Sequence, residues 1–308
     1  MGGAQGRVCG PMVGRDRELA RVMLLLDDAL AGGGRLVLCT GEAGIGKTRL
    51  AEEVAASAAA TGVPVAWARA ADRDSMPPYG LWQLVLDEPA VRGADEHPSG
   101  VGLWSRVFAD AERPALADGA DSGSAQRFAM FAEVRRRLAQ AARPSGLLPV
   151  LDDLQWADEA SAVLLTDVVR QLRGTHILVL ATYRESAASG DMSAGLSPRL
   201  SPRLSPRLSA DANTERVDLR GLPASAVRDL LLAAGLPAWP DQAGEVHSET
   251  GGNPFLVREL ARMLADQRRG GQDGAALVPG RTGSRSCRIP PGRWCRPRPW
   301  QATASRPA

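Results

Sequence analysis

The sequence predicts an α/β protein in which a parallel sheet is flanked by helices and followed by a small C-terminal helical lid. Three observations carry this. Amphipathic and short apolar segments alternate from residue 16 to residue 184. A glycine-rich loop, GEAGIGKT (41–48), joins the first apolar run to the helix after it. Two later apolar runs end in charged residues, Asp152-Asp153 and Arg184, at the edge where open α/β sheets bind ligands.

The elements read in order as follows. Residues 16–31 place Leu19, Val22, Met23, Leu26 and Leu30 at helical spacing, and Gly32-Gly33-Gly34 stops the helix. RLVLCT (35–40) is a short buried strand, TRLAEEVAASAAA (48–60) a helix ending near Gly62, and VPVAWARA (63–70) a second strand. Residues 72–123 are less regular, with Pro77-Pro78 and a helix at 79–86, and are expected to pack over one end of the sheet. In the helix at 124–142, Phe128, Phe131, Val134 and Leu138 share a face. LLPVLDD (147–153) is a third strand, a helix begins near Asp158, and HILVLATYR (176–184) is a fourth strand. SPRL then repeats three times over 197–208, too short for a solenoid unit and too rich in proline for a helix or strand, so it reads as an expanded surface loop. RVDLRGLP (216–223) and helices near 224–234 and 254–268 form the lid. The expected organisation is a core at 11–190, a low-complexity loop at 191–215, a lid at 216–268 and a disordered or out-of-frame tail at 269–308.

Composition narrows the function. The 308 residues hold 37 Lys+Arg against 35 Asp+Glu, a net charge of +2, which argues against a nucleic-acid binder working by charge alone. Residues 270–308 hold seven Arg and one acid, net +6, and leave −4 for residues 1–269. Cys9, Cys39, Cys287 and Cys295 are too scattered for a disulfide framework or a zinc ribbon. Neither a signal peptide nor an apolar run of about 18 residues is present, so a soluble, cytoplasmic protein without membrane contact is expected. Of the 37 basic residues only Lys47 is a lysine, and Asn and Ile are nearly as rare, which points to a GC-rich genome.

That single lysine stands in Gly41-Glu42-Ala43-Gly44-Ile45-Gly46-Lys47-Thr48, which matches G-x-x-x-x-G-K-[ST], the phosphate-binding loop of P-loop NTPases. Glycines let successive N–H groups curl around phosphates, and the helix that follows directs its positive end at them. Lys47 supplies a compact charge to the β/γ-phosphates, and Thr48 a hydroxyl to Mg²⁺. Asp152 is the candidate second metal ligand, and Asp153 the group that orients or polarises attacking water; a pair of acids in this place could also cap a helix. Arg184 is placed to sense the γ-phosphate, or else to form a surface salt bridge. Trp156 reads as packing.

VGRDREL (13–19), TGEAGIGKTRLAEE (40–53), LDDLQWADEAS (151–161), ATYRE (181–185), RGLP (220–223) and TGGNPFLVREL (250–260) together resemble the AAA ATPase-like module of STAND-type regulators, closest to large ATP-binding regulators of the LuxR family and to the similar region attached to some bacterial adenylate cyclases. The resemblance covers about residues 11–268. It implies that Val13, Gly14 and Arg15 pack near adenine and ribose, that Gly41 to Thr48 with Arg49 hold the phosphates, that Asp152 and Asp153 form the Walker B pair, that Arg184 is a sensor and that Pro223 touches the base. Gly251 to Phe255 then mark the lid, and self-association through the module is implied as well. The winged-helix, repeat-sensor and helix-turn-helix regions that follow the lid in that family have no counterpart here, so neither DNA nor inducer binding is expected of these residues, and a truncated or frameshifted regulator is expected. The leading expectation is an ATP·Mg²⁺-operated signalling switch that hydrolyses slowly. The alternatives are a P-loop phosphotransferase, a replication-initiator-like AAA+ ATPase and a non-functional fragment.

Overall fold

A computed structural model of the chain describes residues 12–70, 77–92, 121–143, 145–184, 208, 210–236 and 242–270. The SPRL repeats up to residue 207 and the tail from 271 lie outside the described residues, as does most of 72–123. Five strands, β1 (Arg35–Gly41), β2 (Val65–Arg69), β3 (Leu148–Asp152), β4 (Leu178–Arg184) and β5 (Thr214–Asp218), form one sheet in the order β2-β3-β4-β1-β5. Every pairing is parallel. Gly41 stands beside Arg184 and Arg69 beside Asp152, so the carboxyl ends of four strands finish at one level.

The helices are α1 (Asp16–Leu30), α2 (Lys47–Ala60), α3 (Gly80–Asp87), α4 (Pro89–Arg92), α5 (Asp121–Ala142), α6 (Glu159–Arg170), α7 (Ala224–Ala233), α8 (Ala243–Thr250) and α9 (Pro254–Gly270). Strand alternation divides the core. Leu36 and Leu38 of β1 join one cluster with Trp82, Val134, Leu138, Leu151 and Leu164, while Val37 and Cys39 face another with Val22, Leu26, Leu50, Val54 and Leu180. Continuous apolar runs suit strands covered on both faces, and each buried Leu or Val contributes about 1.5–3 kcal/mol. Asp158 caps α6 by accepting the Ser161 N–H at 2.8 Å, and Trp82 Nε1 donates to the Ser161 carbonyl at 3.0 Å, fixing α3 against α6.

Two details differ from the sequence reading. Arg216–Asp218, read there as the start of the lid, complete β5 on the outer side of β1. A short polar strand shows this only through its pairing: Val217 alone of its five residues is buried. In α5, Phe131, Val134 and Leu138 are buried but Phe128 is 67% exposed, so the apolar face begins a turn later.

Beyond β5, helices α7, α8 and α9 gather around Leu222, Val227, Leu231, Val246 and Val257. Backbone meets backbone where this group joins the chain leaving the sheet: Leu222 N–H donates to the Gly252 carbonyl at 2.8 Å. Gly252 has φ +70°, and a Cβ there would lie 2.2 Å from the Leu222 oxygen. Gly252→Ala is therefore expected to destabilise the chain by about 1–3 kcal/mol, measured as a lowered urea midpoint without loss of cooperativity. A midpoint equal to wild type would show that this contact does not hold the lid helices in place.

Candidate functional site

At the carboxyl edge of the sheet lies a cleft of about 420 Å³, bordered by the 41–48 loop, the ends of β2, β3 and β4, and α9. Val13, Arg15, Gly44, Ile45, Gly46, Lys47, Thr48, Arg49, Asp153 and Arg184, all singled out by the sequence, line it together with Ala43.

Lys47 opens α2, whose N-terminus faces this cleft. Its ammonium donates to the carbonyls of Gly41 at 2.9 Å and Glu42 at 2.7 Å, folding the side chain back over its own loop. Burial pushes the ammonium below the ordinary lysine range; Asp153 opposes the fall and Arg184 adds to it. Beneath the loop, burial pushes the Cys39 thiol up to about 12, so it stays protonated and inert.

Thr48 follows Lys47 and points to β3: its Oγ1 donates to Asp152 at 3.0 Å. Asp152 is fully buried. Its second donor is Thr182 Oγ1 at 2.6 Å, and the same Thr182 oxygen accepts the Asp153 N–H at 2.8 Å. Asp153 adopts φ +59°, in the left-handed region, which turns its carboxylate away from the strand toward Arg69 and Gln155. Arg69 Nη2 and Nε donate to Asp153 Oδ2 at 2.8 and 3.0 Å, and this partner raises the guanidinium pKa further. Gln155 Nε2 donates to Asp153 Oδ1 at 3.1 Å, while its Oε1 accepts the Arg184 N–H at 3.0 Å.

From the junction of α8 and α9, Asn253 Nδ2 donates to the Ala43 carbonyl at 2.9 Å and Asn253 Oδ1 accepts the Phe255 N–H at 3.1 Å. Phe255 lies over Gly44, where a Cβ would come within 2.6 Å of the phenylalanine Cβ. The glycine thus permits loop and lid to touch. Arg15 is buried and its guanidinium donates to the Ile45 carbonyl at 3.1 Å, to the Arg220 carbonyl and to Glu18, so it braces the loop from behind while also reaching the cleft.

Some sequence candidates stand apart. Pro223 is exposed at the start of α7 and is not among the lining residues; its neighbour Leu222, with Leu230, Met12 and Val13, forms the apolar end of the cleft. Gly41 and Glu42 serve through their carbonyls on Lys47, and Asp152 lies behind Thr48. Trp156 packs against the core and also lines the cleft. Arg69, Gln155, Thr182 and Arg258 were not found from sequence. The one available signal was spacing: Thr182 shares a strand face with Arg184 two residues on.

The AAA ATPase domain family model matches residues 11–180, more than half of the chain. The chain belongs to that family. It is therefore a nucleotide-binding P-loop ATPase module with the parallel sheet of that class. An uncharacterized protein of Rhizobium meliloti (strain 1021) is 26% identical over 289 residues, 85% of this chain, and the chain spans about a quarter (26%) of that relative's length. Among solved structures, a STAND protein with a tetratricopeptide repeat sensor from Pyrococcus horikoshii is similar at 17% identity and TM-score 0.46, covering 81% of this chain and 29% of that one. The ORC1 protein of Aeropyrum pernix, solved in complex with DNA, is similar at 18% identity and TM-score 0.46, covering 86% and 64%. Among the described residues, no helix is long and apolar enough to cross a membrane.

Thr182→Val keeps the shape of the side chain but leaves Asp152 short of one donor and the Asp153 N–H without its acceptor. It is expected to cost about 1–3 kcal/mol in chemical denaturation. A loss well below this range would mean that the hydroxyl does not organise the two acids.

Proposed function

We propose that the chain is the ATP-binding, slowly hydrolysing switch module of a STAND-type regulator of the LuxR kind. The single observation that carries this reading is the convergence of Lys47, the Thr48–Asp152 pair, Asp153 and Arg184 on one cleft that α9 also lines.

The residues present fit Mg²⁺ with a triphosphate. Thr48 and Asp152 contribute one hydroxyl and one carboxylate already within 3.0 Å of each other, a sparse oxygen set of the kind Mg²⁺ uses when phosphates and water complete its shell. Bound there, Mg²⁺ would neutralise charge on the β- and γ-phosphate oxygens. Lys47 exchanges two carbonyl partners for phosphate oxygens, which are stronger acceptors for an ammonium. Arg184 adds a cation at the end of β4, and Asp153 offers a carboxylate to orient water. Apolar Met12, Val13, Leu222 and Leu230 suit a purine face. Asn253 on Ala43 supports a lid that feels the state of the phosphate loop, the two-state element a switch requires. Self-association through the module is part of the same reading.

With ATP at about 100 times its Kd, wild type gains about 2.7 kcal/mol of stability, seen as a raised Tm. Lys47→Ala is expected to abolish that rise, and an equal rise in the variant would refute the assignment. Turnover is expected to release inorganic phosphate alone; a phosphorylated acceptor would mark a phosphotransferase instead.

A further inference from the structure

The side-chain amide of Gln155 has both ends committed. Nε2 donates to Asp153 Oδ1 at 3.1 Å, Oε1 accepts the Arg184 N–H at 3.0 Å, and the residue is 4% exposed. These partners dictate the residue type. A backbone N–H only donates and an ionised carboxylate only accepts, so the group between them must offer one acceptor and one donor on opposite sides. A planar amide does this; a glutamate carboxylate satisfies Arg184 and repels Asp153, and a hydrocarbon satisfies neither.

Asp153 needs such a restraint. Its φ of +59° lies in the left-handed region, which costs a non-glycine residue roughly 1 kcal/mol. Two bonds hold it from the protein interior: the N–H to Thr182 and the carboxylate to Gln155. The third partner, Arg69, takes the other carboxylate oxygen, but it is 60% exposed, and an ion pair open to water contributes at most about 1 kcal/mol and exchanges readily with solvent. Gln155, at 4% exposure, is far better shielded from solvent than Arg69. It is the restraint on the carboxylate that persists.

We infer that Gln155 is a positioning residue for hydrolysis of the γ-phosphate: it holds the Asp153 carboxylate at one angle and ties it to the backbone of Arg184. The water-orienting carboxylate and the backbone at the end of β4 then keep a fixed separation, and a displacement at the end of β4 reaches Asp153 through one rigid amide. This rests on the ATPase reading above and adds to it a residue that acts through Asp153.

The test uses the full chain in single-turnover ATP hydrolysis and in ATP-binding titrations, with wild type, Gln155→Met, Asp153→Asn and the double variant. Methionine keeps length and volume and removes both bonds. Gln155→Met is expected to lower the hydrolysis rate by about tenfold or more while the Kd for ATP stays within about twofold, since the lost interaction serves the water and not the nucleotide. On the Asp153→Asn background the same change is expected to cost nothing further, because its effect travels through Asp153. A rate equal to wild type, or the same fold loss on both backgrounds, overturns the proposal. Should Gln155→Met fail to fold, Gln155→Glu keeps the acceptor for Arg184 and removes the donor to Asp153; the same loss is expected, and wild-type turnover overturns the proposal. A wild-type chain that binds ATP and releases no phosphate overturns the hydrolysis reading, and this proposal with it, without any Gln155 variant being involved.

Discussion

Asp152 is a carboxylate with no exposure to solvent, and the arrangement of the site follows from how that burial is compensated. An ionised carboxylate removed from water without partners costs several kcal/mol, so donors have to be built around it. Here the hydrogen bonds come from two directions, with Arg69 of β2 adding an ion pair at 3.4 Å. Thr48 is delivered by the first turn of α2, and Thr182 by β4, the strand beside β3. The β3–β4 pairing and the run of the 41–48 loop into α2 must therefore agree to within a hydrogen-bond length. Once they do, the loop, the acidic pair and Arg184 are placed together, because Thr182 also fixes the Asp153 backbone.

The second constraint is the closeness of loop and lid. Asn253 bonds to Ala43, Phe255 covers Gly44, and Gly252 lies against Leu222, so the lid touches both the phosphate loop and the chain leaving β5. Side chains at Gly44 or Gly252 would force these surfaces apart. Polar bonds and bare backbone contribute to the seating of these helices, and Phe255 and Met263 stay exposed. Such contacts can be exchanged for nucleotide contacts, as the switch proposed above requires.

The first four strands and the long helices were legible because each carries its own signal: period 3.6 in α1 and α2, continuous apolar runs in β1, β3 and β4, and glycine or proline at the junctions. Strand β5 was not, since TERVD is polar and short and is a strand only because β1 offers an edge. The loop and the charged strand ends were legible for the same local reason. Thr182, Gln155 and Arg69 were not. Their roles arise from pairings between segments 29 and 84 residues apart, such as Thr182 with Asp153 and Arg69 with Asp153, and apart from the spacing of Thr182 and Arg184 nothing in the local pattern distinguishes them from ordinary strand or turn residues. Pro223 shows the converse: the motif around it was legible, yet the cleft is met by Leu222, one position earlier, because Pro223 begins α7 on the outside.

Because the chain holds a single lysine, isotope labelling of lysine side chains yields one Nζ/Cε resonance, that of Lys47. Following that resonance by NMR while ATP and Mg²⁺ are added, with adenosine as the control, observes the proposed contact directly. The expected result is a shift with ATP·Mg²⁺ and none with adenosine, as the ammonium leaves the Gly41 and Glu42 carbonyls for phosphate oxygens. A resonance that stays in place while ATP demonstrably binds would contradict the central claim, since nucleotide would then be held without the residue on which the site is built.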